Sequence, residues 1–211
     1  MISEENKVML EMLGDVLHGN TPKAIDKESL PLIFNEMKAQ TVFVLPYPYI
    51  KSLDINDPSY RILCLKQISN FYTILEVQDK LVNTLKNQGI SSVILKGAAA
   101  ACSYPNPDTR VMGDIDILVL PENFEKAFYC LCEAGFVTDE SLKNFKRHIG
   151  LVSKEGVHIE LHHHFSSSDN EDQNKLLDDL IYEGLRHYEV VDVCGYKVPI
   201  LPTMENGLVL L

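Results

Sequence analysis

The chain predicts an α+β protein in which a helical N-terminal region precedes a mixed β-sheet core flanked by helices. Two observations carry this. Apolar residues recur at helical spacing through most of the first 88 positions, and after Gly89 the pattern changes to short β-branched runs broken by one helix and followed by a series of strands. Composition agrees: 211 residues, 45% apolar and 23% charged, describe a globular protein of one or two domains and exclude disorder and collagen-like repeats.

In residues 1–88 the first helix is expected from Glu4 to His18. Ser3 is its N-cap, Val8, Met9, Met12, Leu13, Val16 and Leu17 form its apolar stripe, and Gly19 is its stop. A second helix is expected from Ser29 to Gln40. Val42 to Asp57 carries three prolines and reads as an irregular connector crossing the surface. A long helix from Ser59 to Asn87 follows, with Ile68, Phe71, Leu75, Val82 and Leu85 at spacings of three, four and seven and Gly89 as terminator.

Residues 89–200 form the expected core. Ser92 to Leu95 and Ile115 to Leu120 are strand candidates. Pro121 to Ala134 returns to helix, with Phe124, Ala127, Phe128 and Leu131 inward and Gly135 closing it. Further strands are expected at Phe136–Thr138, His148–Lys154, Val157–His164, Glu189–Cys194 and Tyr196–Ile200, with Lys154, Glu155 and Gly156 making a tight hairpin turn. Residues 201–211 begin like a helix with Thr203 as a cap and stop within an apolar run, so the chain is expected to be cut short there.

Thirty acidic against nineteen basic side chains give a net charge of −11, which repels phosphate backbones and anionic membranes. No apolar run approaches the roughly 18 residues of a membrane span, and Met1 to Asn6 is acidic where a signal peptide is basic then apolar, so a cytoplasmic protein is expected. Cys64, Cys102, Cys130, Cys132 and Cys194 are odd in number and lack a C-x-x-C spacing; all five read as buried small hydrophobes.

Three segments carry candidate chemistry. In Gly113-Asp114-Ile115-Asp116-Ile117-Leu118-Val119 two carboxylates one residue apart on a strand share a face, a geometry that chelates a hard cation. Upstream, Leu95-Lys96-Gly97-Ala98-Ala99 runs from a strand into a small-residue helix start, where glycine lets backbone approach a phosphate and free N–H groups favour negative charge. Strand alternation in Val157 to Phe165 puts His158, Glu160, His162 and His164 on one face, making Glu160 a third carboxylate. Together they describe a two-metal phosphoryl or nucleotidyl transfer centre.

These residues resemble the nucleotidyltransferase superfamily typified by DNA polymerase β, and within it the uncharacterised bacterial nucleotidyltransferases. The resemblance rests on Leu95-Lys96-Gly97-Ala98-Ala99, Tyr104-Pro105-Asn106-Pro107, Arg110, Met112 through Val119, Gly135-Phe136 and Ile159-Glu160-Leu161-His162, and covers roughly residues 60 to 205. It implies a nucleotidyltransferase-fold core and transfer of a nucleoside monophosphate from a nucleoside triphosphate, ATP being the expected donor, to a small-molecule or protein acceptor that the sequence does not name. By it Asp114, Asp116 and Glu160 hold two Mg²⁺ or Mn²⁺ ions, and Glu160 is also a base for an acceptor hydroxyl. Lys96, Gly97, Ala98, Arg110 and Gly113 bind the nucleotide and its phosphates. Relatives usually show Gly-Gly or Gly-Ser at the phosphate turn, whereas Lys96-Gly97-Ala98 stands here without a serine hydroxyl.

Lys96 either supplies a point charge to phosphate or lies exposed, and Arg110 either reaches a phosphate oxygen or pairs with the carboxylates. Lys143, Lys146, Arg147 and His148 are the one concentrated basic stretch, read as a charged face of a solvated helix, with Lys146 an accessory phosphate candidate. Two other functions stay open: a catalytically weak nucleotide-binding regulatory protein, and a toxin-type enzyme acting on tRNA. His158, Glu160, His162 and His164 also raise zinc. Same-face residues on one strand sit about 6.5–7 Å apart, so they converge on one ion only if another segment helps, and His162 and His158 are otherwise accessory to the Mg²⁺ site.

Overall fold

The structure is a computed structural model and describes all residues except 1, 2, 24, 26, 27, 53–56, 145, 146, 167, 168 and 211, with the side chains of 140–144 and 210 also left aside. The fold is α+β. It divides into two compact units, Met1–Tyr72 with Ser103–Met112, and Thr73–Cys102 with Gly113–Leu211.

The first unit is helical. Helix α1 (Glu4–Leu17) starts where the Ser3 side chain accepts from the Asn6 N–H. It buries Met9, Met12 and Leu13 and leaves Leu17 exposed, so the apolar stripe is narrower than its sequence. Helix α2 (Leu30–Ala39) contributes Ile33 and Met37. The stretch after it is no surface connector: Phe43, Val44, Leu45, Tyr47 and Ile50 are buried, the last two on helix α3 (Tyr47–Ser52). Those side chains find a core made by Phe34, Tyr60 and Cys64, with the Tyr60 hydroxyl donating to the Phe43 carbonyl at 2.9 Å. Burying this apolar set outweighs the local turn signal of the prolines. Helix α4 (Pro58–Asn87) begins here and ends in the second unit.

The second unit holds a five-stranded sheet in the order β1-β2-β5-β4-β3: β1 (Ser92–Ile94), β2 (Asp114–Val119), β3 (Val137–Asn144), β4 (His148–Val152) and β5 (His158–His162). β2 and β5 are parallel and every other pair is antiparallel, so the sheet is mixed. Helices α5 (Ala98–Ala101) and α6 (Phe124–Glu133) connect strands, and α7 (Glu171–Arg186) precedes the hairpin of β6 (Glu189–Val193) and β7 (Tyr196–Ile200). Helix α8 (Thr203–Leu210) follows. Val93, Leu95, Leu118, Ile181, Leu185, Leu201 and Val209 form one core of this unit.

Several expectations change. The strand after Gly135 is not the short Phe136–Thr138 but runs to Asn144 across a bulge, so Lys143 lies on a strand rather than a solvated helix. Arg147 is in a turn, His148 opens β4, and Lys146 is outside the described residues. β5 ends at His162, which takes His164 off the strand. Helix α7 has no counterpart in the sequence reading: Leu177, Ile181 and Leu185 recur every four residues, but Asp178, Asp179, Glu183 and Gly184 interrupt them. Of the cysteines, Cys64 alone is buried; Cys102, Cys130 and Cys132 are partly exposed, and Cys194 is exposed at the tip of the β6–β7 hairpin. Among the described residues no helix is long and apolar enough to cross a membrane.

Candidate functional site

The register of β2 against β5 pairs Asp114 with His158, Asp116 with Glu160 and Leu118 with His162. Residues registered across a parallel ladder point the same way, and strand period two does the rest. Asp114, Asp116, His158, Glu160 and His162 therefore share one face of the sheet. The segment before α5 is tied to the same place, since the Leu95 N–H donates to the Asp116 carbonyl at 3.0 Å. β4 closes the other side: its antiparallel register sets His148 opposite His162 and Gly150 opposite Glu160.

The side chains make a compact polar cluster. Asp116, only 7% exposed, meets His162 Nε2 at 3.2 Å through Oδ1, and Lys96 Nζ approaches the same oxygen at 3.8 Å. His162 Nε2 is also 3.1 Å from Glu160 Oε2, and His148 Nε2 is 3.9 Å from Glu160 Oε1. The His148 and His162 rings lie 4.9 Å apart. His162 Nδ1 is buried without a hydrogen-bond partner among the described residues, so all of this ring's polar contact is at Nε2.

Charge is unevenly balanced across the cluster. Burial, then the neighbouring Asp116 and Glu160 charges, push the Asp114 carboxyl above its usual range. Burial pushes Asp116 the same way, but the His162 hydrogen bond and the Lys96, His162 and His148 charges outweigh it and bring its carboxyl below the usual range. Burial lowers the His148 imidazole, with His162 and Arg147 adding to this against the pull of Glu160 and Asp116. The charged form of Asp114 is thus disfavoured, while that of Asp116 is favoured by its partners.

Lys96, Asp114, Asp116, Glu160 and His162 come together on this face. Gly97 sits at the N-cap of α5 with φ +47° and ψ −112°, a backbone state that L side chains do not adopt, and Ala98 is buried behind it. Gly113 precedes β2 with open space where a Cβ would be, so sterics do not demand glycine there. Arg110 belongs to the first unit, its guanidinium donating to the Val111 carbonyl at 3.3 Å. His158 turns to Asp139 at 3.0 Å, and His164 binds Asp178 of α7 at 2.9 Å.

Two residues escaped the sequence reading. His148 enters the sequence reading as a basic side chain and as the start of a strand but not as a site residue, yet a hairpin centred on Glu155 puts it directly opposite His162, a signal available by counting outward from the turn. Asp178 had no local signal, because its partners are the Phe165 and Ser166 N–H groups and His164.

The uncharacterised nucleotidyltransferase family matches residues 67–211, which is more than half of the chain and contains every residue of this cluster. The chain belongs to that family. As a nucleotidyltransferase it is a transferase, and its mixed sheet is the element that carries the carboxylates. Among solved structures it is similar to the lincosamide antibiotic adenylyltransferase LnuA in its lincomycin-bound form, at 13% identity and a TM-score of 0.40, over 60% of this nucleotidyltransferase and 79% of LnuA. No curated protein matches the chain.

Proposed function

We propose that the chain is a Mg²⁺-dependent nucleotidyltransferase that moves a nucleoside monophosphate from a nucleoside triphosphate, ATP first among the donors, to an acceptor hydroxyl or phosphate. The observation that carries this reading is the β2–β5 register, which puts Asp116 beside Glu160 and Asp114 one strand period away on the same face. The donor set suits a hard dication: three carboxylates share one face of the sheet, and the Asp114 charge is opposed by those of Asp116 and Glu160. Asp114, Asp116 and Glu160 would hold two Mg²⁺ ions, or Mn²⁺, which when bound supply charge stabilisation to the attacking and leaving oxygens.

The chain's own residues do the remainder. Gly97, with its left-handed backbone, gives the triphosphate a close approach at the start of α5, and Lys96, 52% exposed, swings from Asp116 to a phosphate oxygen. Glu160 accepts the proton of the acceptor hydroxyl. The acceptor oxygen bonds to the α-phosphorus as the bond to the β-phosphate bridging oxygen breaks, and pyrophosphate leaves. A net charge of −11 favours a small molecule or protein acceptor over nucleic acid, and Arg147, the described arginine of the basic stretch, uses its guanidinium on the Phe165 carbonyl at 2.7 Å. A triphosphate donor implies a cytoplasmic setting.

Isothermal titration of ATP, GTP, CTP and UTP with and without Mg²⁺ tests the reading on wild type and on Asp114→Asn/Asp116→Asn. Mg²⁺-dependent binding that disappears in the double variant supports it. A well-folded wild type that binds none of the four, or a double variant that binds as well as wild type, removes it.

A further inference from the structure

We propose that His148, Glu160 and His162 form a binding site for a borderline transition-metal dication such as Zn²⁺ or Co²⁺, which shares Glu160 with the proposed Mg²⁺ carboxylates and differs from them in its two imidazole donors. This goes beyond nucleotidyl transfer and stands on these three side chains alone.

The sequence puts Glu160 and His162 on one strand face, which by itself leaves an ion short of ligands. The fold supplies the missing segment. His148 enters from β4 as the direct cross-strand partner of His162, and Gly150, opposite Glu160, has no side chain to fill the space between them. One ligand atom from each of the three residues lies within 4.8 Å of the others. Nitrogen and oxygen ligands at about 2.0–2.2 Å from a tetrahedral ion stand roughly 3.3–3.6 Å from one another. The observed separations bracket that value: 3.1 Å for His162 Nε2 to Glu160 Oε2 and 3.9 Å for His148 Nε2 to Glu160 Oε1. Small side-chain rotations close them onto one ion.

The donor types decide the class of cation. Two imidazoles and a carboxylate suit Zn²⁺, Co²⁺ and their neighbours, whereas Mg²⁺ demands near-octahedral oxygen and releases its water reluctantly. Both imidazoles are mostly buried, which shelters the site without closing it, since Glu160 keeps an exposed edge. The competing arrangement is His162 Nε2 bridging Asp116 and Glu160, with no ion needed.

The test is a Co²⁺ titration of the full, chelator-stripped chain in millimolar Mg²⁺, read by visible absorption. The expected result is one saturable site with the intensified bands of nitrogen-ligated Co²⁺, weakened at least about tenfold by His148→Ala and by His162→Ala and unchanged in Asp114→Asn. His148→Gln, which keeps size and polarity, carries the same expectation should the alanine variant fail to fold. Co²⁺ binding that Mg²⁺ displaces, or that survives loss of His148, overturns the proposal in favour of the ion-free bridge. Nucleotide binding measured on the same samples separates the two readings: Mg²⁺-dependent ATP binding without Co²⁺ binding removes this inference alone, and Co²⁺ binding without ATP binding removes nucleotidyl transfer alone.

Discussion

Replacing Asp178 by alanine should untie the segment that leaves β5. Asp178 is 7% exposed on α7; its Oδ1 accepts from the Phe165 N–H at 3.0 Å and the Ser166 N–H at 2.9 Å, and its Oδ2 accepts from His164 Nδ1 at 2.9 Å. Tyr182 completes the network by donating to the His163 carbonyl at 2.6 Å, and burial with the nearby Asp178 charge raises its phenol, so it remains a donor. In Asp178→Ala the His164 ring, 41% exposed, turns to water, but the two backbone donors are left facing an apolar side chain. At about 1–3 kcal/mol for each orphaned donor, the loss is about 2–6 kcal/mol, and the partial exposure of Phe165 favours the middle of that range. For a chain of this length about 4 kcal/mol lowers Tm by roughly 10 °C. Asp178→Asn keeps the Oδ1 that accepts from both backbone N–H groups and should lose only a small part of this. Calorimetric melts give the magnitude, and amide exchange at Phe165 and Ser166 gives the location. A loss below about 1 kcal/mol with unchanged protection of those two amides would refute the reasoning.

The remaining predictions concern the site and one turn. Asp114→Asn should raise Tm of the metal-free protein at neutral pH, because a carboxyl whose folded pKa is raised opposes folding when ionised and the amide removes that charge; a melt in chelator that shows a lower Tm contradicts this. Gly97→Ala forces a Cβ into φ +47°, ψ −112°, which should cost about 1–3 kcal/mol and, on the proposed function, weaken Mg²⁺-dependent nucleotide binding together with stability. Denaturant curves and titration on the same sample check both. Cys194→Asn should stabilise the β6–β7 hairpin by about 0.5–1 kcal/mol, since Cys194 at φ +53° and Gly195 at φ +90° both adopt the left-handed backbone of a two-residue turn that Asn-Gly prefers. An unchanged or lower Tm would count against that turn type.

What the sequence could show of the fold follows from how local each signal is. Ser3 caps α1 and the long helix ends just before Gly89, because caps and periodicity depend on neighbours within a turn or two. The turn near Lys154–Gly156 was equally readable, and with it the pairing of β4 with β5. Val42–Asp57 misled for the opposite reason: its prolines speak for a turn, while the burial of Phe43 and Ile50 depends on partners brought from α1, α2 and α4. Helix α7 was hidden because Asp178, a residue that reads as solvent-facing, is buried by bonds to a segment 12 and 13 positions away.

The candidate site divides along the same line. Period-two alternation alone determined that Asp114 and Asp116 share a face, as do His158, Glu160 and His162, since each strand's geometry is set by its own backbone. Only the tertiary structure decided that these two faces are one, that Asp116 stands beside Glu160, and that His148 rather than His158 or His164 completes the cluster. Those outcomes depend on β2 and β5 pairing in parallel across more than forty residues, a register chosen by the burial of Ile115, Ile117, Ile159 and Leu161 on the opposite side of the sheet. A shift of one residue would turn the carboxylates into that core and the isoleucines into water, so the apolar face that does no chemistry is what holds the chemical face in place.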